Sequence, residues 1–170
     1  MIFVTVGTQL PFDRLIRAVD GWCGQRRVEA FAQIAEPGPQ GYVPSWMAWQ
    51  NFLSPEEFNQ KFAGADLVIA HAGMGSIISA LVAGKPVVIM PRRVALNEHR
   101  NDHQMATAEK FRNRPGVYVA MDEAELPTVV ESALLGLGGE RQQLAQYASP
   151  LLIETVRKFI LYGTMNENAS

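Results

Sequence analysis

The chain has 170 residues, 48% of them hydrophobic and 19% charged, and a net charge of −2 at neutral pH. That length fits one domain, that composition excludes a disordered chain, and that charge offers no general attraction to nucleic acid or anionic lipid. A single cysteine, Cys23, permits no internal disulfide and fits a reducing compartment, where it reads as a small core residue and not a nucleophile.

In chain order, Ile2–Val6 predicts a buried first strand, without the basic region that opens a signal peptide. Gly7-Thr8-Gln9-Leu10-Pro11 breaks it, and Phe12, Leu15, Ile16, Val19 and Trp22 then recur at helical spacing. Val28–Ala35 predicts a second strand, and the Pro- and Gly-rich segment 36–41 a loop. The aromatic stretch through Trp46, Trp49 and Phe52 is ambiguous. Ser54-Pro55-Glu56-Glu57 starts a helix: a Ser cap, Pro at the first position, and Glu where a capping box needs it. That helix ends near Gly64. Leu67–Ala70 predicts a strand, Ser76–Ala83 a helix closed by Gly84, and Pro86–Met90 another strand. A loop rich in Arg and Asn leads to a helix from about Asp102 to Phe111. Val117–Ala120 predicts the last strand. Asp122 and Glu125 cap a further helix, and Glu140–Leu161 a final one. Residues 1–165 form one domain, followed by a polar tail, Asn166–Ser170. No apolar run approaches the roughly 18 residues a membrane helix needs, so a cytoplasmic chain is expected.

Strands alternate with helices, and the strands are unbroken apolar runs. This pattern predicts an α/β, Rossmann-like parallel sheet with helices on both faces. In such sheets ligands bind beyond the carboxyl ends of the strands. Three polar segments sit at those ends: Gly7-Thr8-Gln9, His71–Ser76 and Pro91–Gln104. Gly73 and Gly75 let a ligand approach the backbone, and the helix that follows offers free N–H groups and a positive dipole end, both suited to a phosphate. The segment Glu98–Gln104 is crowded with directed hydrogen-bonding groups, of which Asp102 and Gln104 suit sugar hydroxyls. Nearby arginines suit a diphosphate or a sugar carboxylate.

Two rival chemistries stay open on the residues alone. Gly73-Met74-Gly75-Ser76-Ile77-Ile78 has the first two glycines of a dinucleotide fingerprint but Ile78 at the third. Arg92 and Arg93 then suit the 2′-phosphate of NADP. His99 and His103 have a spacing of four, which suits a metal on a helix, although Arg92, Arg93 and Arg100 oppose a cation. No metal is assigned.

The segments FVTVGTQLPFDRLI, ADLVIAHAGMGSIISALVAGKPVVIMPR and NEHRNDHQMATAEKF, in that order, resemble the family 28 glycosyltransferases. The match is to their C-terminal, donor-binding domain of the GT-B fold. It is nearest to the two-component members, of the eukaryotic chitobiosyl-dolichol type or the bacterial exopolysaccharide glucuronosyl- or galactosyltransferase type. The resemblance implies a UDP-sugar donor and no cofactor or metal. It sets Gly7 and Thr8 by the diphosphate. His71, Gly73, Met74, Gly75 and Ser76 form the loop around phosphates and nucleotide, and Asp102, His103 and Gln104 face the donor sugar. Arg93, Glu98 and Asn101 complete the donor set. Many relatives carry a glutamate for the ribose where this chain has Ser79, a role open to Glu98. The resemblance also implies a separate, membrane-anchored subunit that holds a lipid-linked acceptor. This chain would then lie at the inner face of the membrane through that partner. Transfer is expected to invert the anomeric centre. His71 is the local candidate for the general base, with the partner the other source. A non-catalytic nucleotide-sugar-binding or scaffolding subunit is the alternative. Leu144, Tyr147, Leu151, Leu152 and Phe159 recur at helical spacing and suit either core packing or partner docking. For a chain purified alone, a homodimer is a further way to bury such a surface.

Overall fold

The structure is a computed structural model, which describes residues 1–138. The final helix expected over Glu140–Leu161, its apolar positions and the polar tail lie outside the described residues. Among the described residues six parallel strands and five α-helices follow in the order β1 (Ile2–Thr5), α1 (Asp13–Arg26), β2 (Ala30–Gln33), β3 (Ala48–Gln50), α2 (Pro55–Gly64), β4 (Leu67–His71), α3 (Met74–Val82), β5 (Val87–Met90), α4 (His103–Phe111), β6 (Val117–Val119) and α5 (Leu126–Leu135). The sheet order is β3-β2-β1-β4-β5-β6. The Rossmann-like α/β fold read from the sequence is therefore the fold observed.

The strands read as apolar runs because both faces are covered. Ile2, Val4, Leu67, Ile69, Val88 and Met90 point to one face, where α1 supplies Leu15, Ile16 and Val19 and α5 supplies Leu126 and Val130. Phe3, Val68, Val87 and Ile89 point to the other, against Ile77 and Leu81 of α3 and Ala108 of α4. On that side Phe58 and Phe62 of α2 meet Phe3 edge-on, with ring centroids 5.2 and 6.4 Å away. Cys23 is buried in the first cluster, and burial, then the charge of Asp20, pushes its thiol up to about 11. It is an inert core residue, as expected.

Local signals set the element ends. Ser54 Oγ accepts from the Glu57 N–H at 3.2 Å, and Glu57 Oε2 accepts from the Ser54 N–H at 2.8 Å, completing the capping box of α2. Gly84, at φ +62°, closes α3, with Lys85 N–H donating to Ala80 O at 2.8 Å. The ambiguous aromatic stretch holds β3, a short edge strand paired to β2. What fixes it is Asp20 of α1. This buried carboxylate accepts from the Tyr42 hydroxyl and from the N–H groups of Ser45, Trp46 and Met47, at 2.7–3.0 Å. Burial works against that charge, yet the four donors hold it below the usual carboxylate range.

Candidate functional site

The strand order reverses between β1 and β4, and such a switch point opens a crevice at the carboxyl edge of the sheet. Register puts Thr5 beside Ala70, so the Gly7 turn leaving β1 lies against His71, the last residue of β4. Gly7 has φ +79°, a conformation that favours glycine. A Cβ on Gly7 would meet His71 Nε2 at 3.0 Å, and a Cβ on Gly73 would meet His71 Cε1 at 2.2 Å. The imidazole therefore sits between two glycines, and each must be bare to admit it.

Helix α3 begins at Met74, two residues before the start expected from the sequence, with Gly73 at its cap position. Gly73 N–H donates to His71 O and Ile77 N–H to Gly73 O, which leaves the Met74, Gly75 and Ser76 N–H groups as the open helix end. Ser76 does not cap the helix. Its hydroxyl lies 3.4 Å from His71 Nε2. On the other side of the ring, Gln104 Nε2 lies 3.3 Å from His71 Nδ1, and Gln104 Oε1 accepts from the Arg92 N–H at 3.2 Å. Burial first, then the charge of Arg92, pushes the imidazole down to about 4, so it is neutral at physiological pH.

Two cavities meet at this point. The smaller, about 250 Å³, lies over His71, Gly7, Thr8 and Gln104. The larger, about 430 Å³, shares Gly7 and Thr8 with it and runs along α3 past Gly75 and Ser76 to Ser79. Leu53, Phe58 and Phe62 give it an apolar wall, and Gln33 and Asn59 supply amides. Gln33 is 2% exposed and donates to Gly7 O at 3.2 Å, so it also props the glycine turn. This second chamber was not foreseen. Its one sequence signal is Gln33, a polar residue closing a buried apolar strand.

The other expected site residues have different duties. Arg92, 2% exposed, donates to Val6 O, Leu10 O and Pro11 O at 3.0, 2.7 and 2.6 Å, and its guanidinium lies over the Phe12 ring. Burial pulls it down to about 10, which keeps it charged at neutral pH. Arg93, expected at the donor, instead donates to Met121 O at 2.8 Å. With Arg92 buried and spent on backbone carbonyls, and Arg93 turned to Met121 O, the arginine pair does not present a 2′-phosphate site. Glu98, expected at the ribose, accepts from Arg14 Nε and Nη2 at 2.8 Å and from Arg93 N–H at 2.9 Å. Its carboxylate braces the loop and faces neither cavity. Asp102 Oδ1 accepts from Val94 N–H, and Asn101 Oδ1 from His103 N–H, so these two side chains shape the turn before α4. His103 is exposed at the first position of α4, and His99 lies before the helix, so the two do not share a helical face. Of the Asn101–Gln104 run, Gln104 is the residue whose side chain reaches His71. Among the described residues no helix is long and apolar enough to cross a membrane.

The family profile of the glycosyltransferase family 28 C-terminal domain matches residues 1–160. Over 107 residues, 58% of its length, the chain is 32% identical to the human UDP-N-acetylglucosamine transferase subunit ALG13, and it spans 9% of that protein. Over 74 residues, 42% of its length, it is 35% identical to the UDP-N-acetylglucosamine–N-acetylmuramyl-(pentapeptide) pyrophosphoryl-undecaprenol N-acetylglucosamine transferase of Bacteroides fragilis, spanning 19% of it. Among solved structures, Acinetobacter baumannii MurG superimposes with a TM-score of 0.55 at 20% identity, over 78% of this chain and 40% of that one. The solution structure of ALG13 superimposes with a TM-score of 0.52 at 19% identity, over 96% of both chains. These likenesses show a shared fold, one Rossmann-like half of the GT-B architecture. With the profile matching nearly the whole chain, the protein belongs to the glycosyltransferase family 28 C-terminal domain family.

Proposed function

We propose that this chain binds the donor of a sugar transfer, a UDP-sugar, at the β1/β4 switch point. The observation that carries the reading is the lodging of His71 between Gly7 and Gly73, directly before the open end of α3 and under one of two cavities that share Gly7 and Thr8. The diphosphate lies over the Met74, Gly75 and Ser76 N–H groups, where the helix dipole favours negative charge. The uridine occupies the larger chamber, its base against Leu53 and Phe58 and its ribose beside Ser79. A chamber of about 430 Å³ is within the usual range for small-molecule sites. The sugar lies in the smaller cavity toward Thr8 and Gln104.

In the transfer step the bond from the anomeric carbon to the UDP oxygen breaks as the acceptor oxygen bonds the opposite face, inverting that carbon. Negative charge grows on the departing UDP, and the preorganised N–H groups of α3 oppose it without a metal. The acceptor's proton needs a base, and a base works best with a pKa near the operating pH. An enclosed imidazole held at about 4 is poorly matched to that task. The base then comes from a membrane-anchored acceptor subunit, which would hold this chain at the inner face of the membrane. The human relative's description as a transferase subunit supports a partner.

Calorimetric titration with UDP, a panel of UDP-sugars and NADP tests this reading. Saturable binding of UDP, tightened by one sugar, is expected. Binding of NADP without UDP would overturn it.

A further inference from the structure

We infer that Gln104 is a positioning residue that locks the His71 imidazole in its Nε2–H tautomer, so that the ring offers the site a hydrogen-bond donor and not a proton acceptor. The inference rests on the reading above for what the donor serves, but the tautomer follows from the hydrogen-bond network alone.

The backbone N–H of Arg92 can only donate, so the Gln104 amide atom 3.2 Å from it is the oxygen. The opposite amide atom is then the NH2 group, and it lies 3.3 Å from His71 Nδ1. An NH2 group also can only donate, so Nδ1 keeps its lone pair. A neutral imidazole carries one N–H, which must be at Nε2. That nitrogen lies 3.4 Å from Ser76 Oγ and faces the Gly7 turn. Ser76 accepts from it and is left with its own hydroxyl hydrogen to donate. The Ser76 O–H, backed by the His71 Nε2–H, thus joins the open N–H groups of α3 as a further donor. The set suits an anionic oxygen.

The amide cannot turn over freely. Gln104 is 7% exposed, and a flipped amide would set its NH2 group against the Arg92 N–H. Arg92 is itself fixed by the carbonyls of Val6, Leu10 and Pro11. The charged or titratable groups facing the ring from neighbouring elements are Arg92 and His99, both basic, which favour the neutral form.

The test is two-bond 1H–15N correlation NMR of the imidazole nitrogens in the full-length chain at pH 7 without ligand. His71 is assigned by its loss in His71→Gln. The expected spectrum has Nε2 protonated and Nδ1 bare. Gln104→Glu is isosteric, keeps an oxygen for the Arg92 N–H and sets another against the ring, so it is expected to bring a proton to Nδ1. Gln104→Leu is expected to give mixed tautomers, with a loss of UDP affinity of at least threefold. A protonated Nδ1 or mixed tautomers in the wild-type chain would overturn the inference, as would an unchanged pure Nε2–H form in Gln104→Leu. Failure to bind UDP would sink the donor-site reading instead, because the ligand-free spectra stand apart from it.

Discussion

Two glycines of one turn should respond oppositely to the same methyl group. At Gly73, φ is −85°, so alanine meets no backbone penalty, but its Cβ would lie 2.2 Å from His71 Cε1 and 2.7 Å from Nδ1. The ring is held on its other sides by Gln104 at Nδ1 and Ser76 at Nε2. It must leave its rotamer or break from Gln104 and Ser76. Each hydrogen bond is worth about 0.5–1.5 kcal/mol, and a strained rotamer about as much, so Gly73→Ala is expected to lose about 2–3 kcal/mol. For a domain of this size that lowers Tm by roughly 4–12 °C. At Gly75 a Cβ meets nothing within 4 Å, and the residue lies in the first turn of α3. Alanine is the better helix former by up to about 1 kcal/mol, so Gly75→Ala is expected to match or exceed wild-type stability. Thermal unfolding followed by circular dichroism reads the difference. UDP titration adds a second separation: Gly75→Ala folds well yet binds UDP more weakly, because its methyl group intrudes where the phosphate meets the backbone. A Gly73→Ala chain as stable as wild type would refute the account of the His71 niche.

Four further outcomes are expected. Arg92→Gln leaves the carbonyls of Val6, Leu10 and Pro11 without their donor and costs about 3 kcal/mol or more by denaturant unfolding; Arg92→Lys recovers little, because an ammonium cannot span the fork. Asp20→Asn sets an NH2 group among four donors and lowers stability by about 2–3 kcal/mol, with hydrogen exchange fastest in β3. His71 is held at about 4 in the folded state against 6.5 unfolded. Its folded value is depressed, so stability is full above pH 6.5 and falls as pH drops toward 4, by up to about 3 kcal/mol relative to His71→Gln; equal pH profiles for the two chains would contradict the buried, neutral ring. Ser79→Glu adds a carboxylate on the exposed wall of the larger chamber and is expected to tighten UDP about tenfold by gripping the ribose; no gain would move the ribose elsewhere.

Local chemistry was legible in the sequence and distant chemistry was not. The capping box Ser54–Glu57 and the closing turn at Gly84 depend on residues three to five apart, and both form as read. The parallel sheet was legible because both-sided burial leaves apolar runs. β3 was missed because its cause, Asp20, lies on α1 more than twenty residues away. The same limit governs the site. The Gly7 and His71 segments were identified, since both stand at strand ends. By sequence Glu98 stays open to the ribose, because its partner Arg14 is 84 residues distant and spacing gives no hint of that pair. Asn101, Asp102, His103 and Gln104 look alike as a polar run, and helix phase together with the Arg92 N–H singles out Gln104.

The central claim is that a uridine diphosphate lies at the switch point between β1 and β4. Backbone 1H–15N spectra of the full-length chain, titrated with UDP, test it most directly. The amides of Gly7, Thr8, His71 and Met74–Ser76 are expected to shift together, with Leu53 and Phe58 following. Saturable shifts confined to the cleft between the start of α1 and the Leu96–Glu98 loop, with the switch-point amides unmoved, would contradict it.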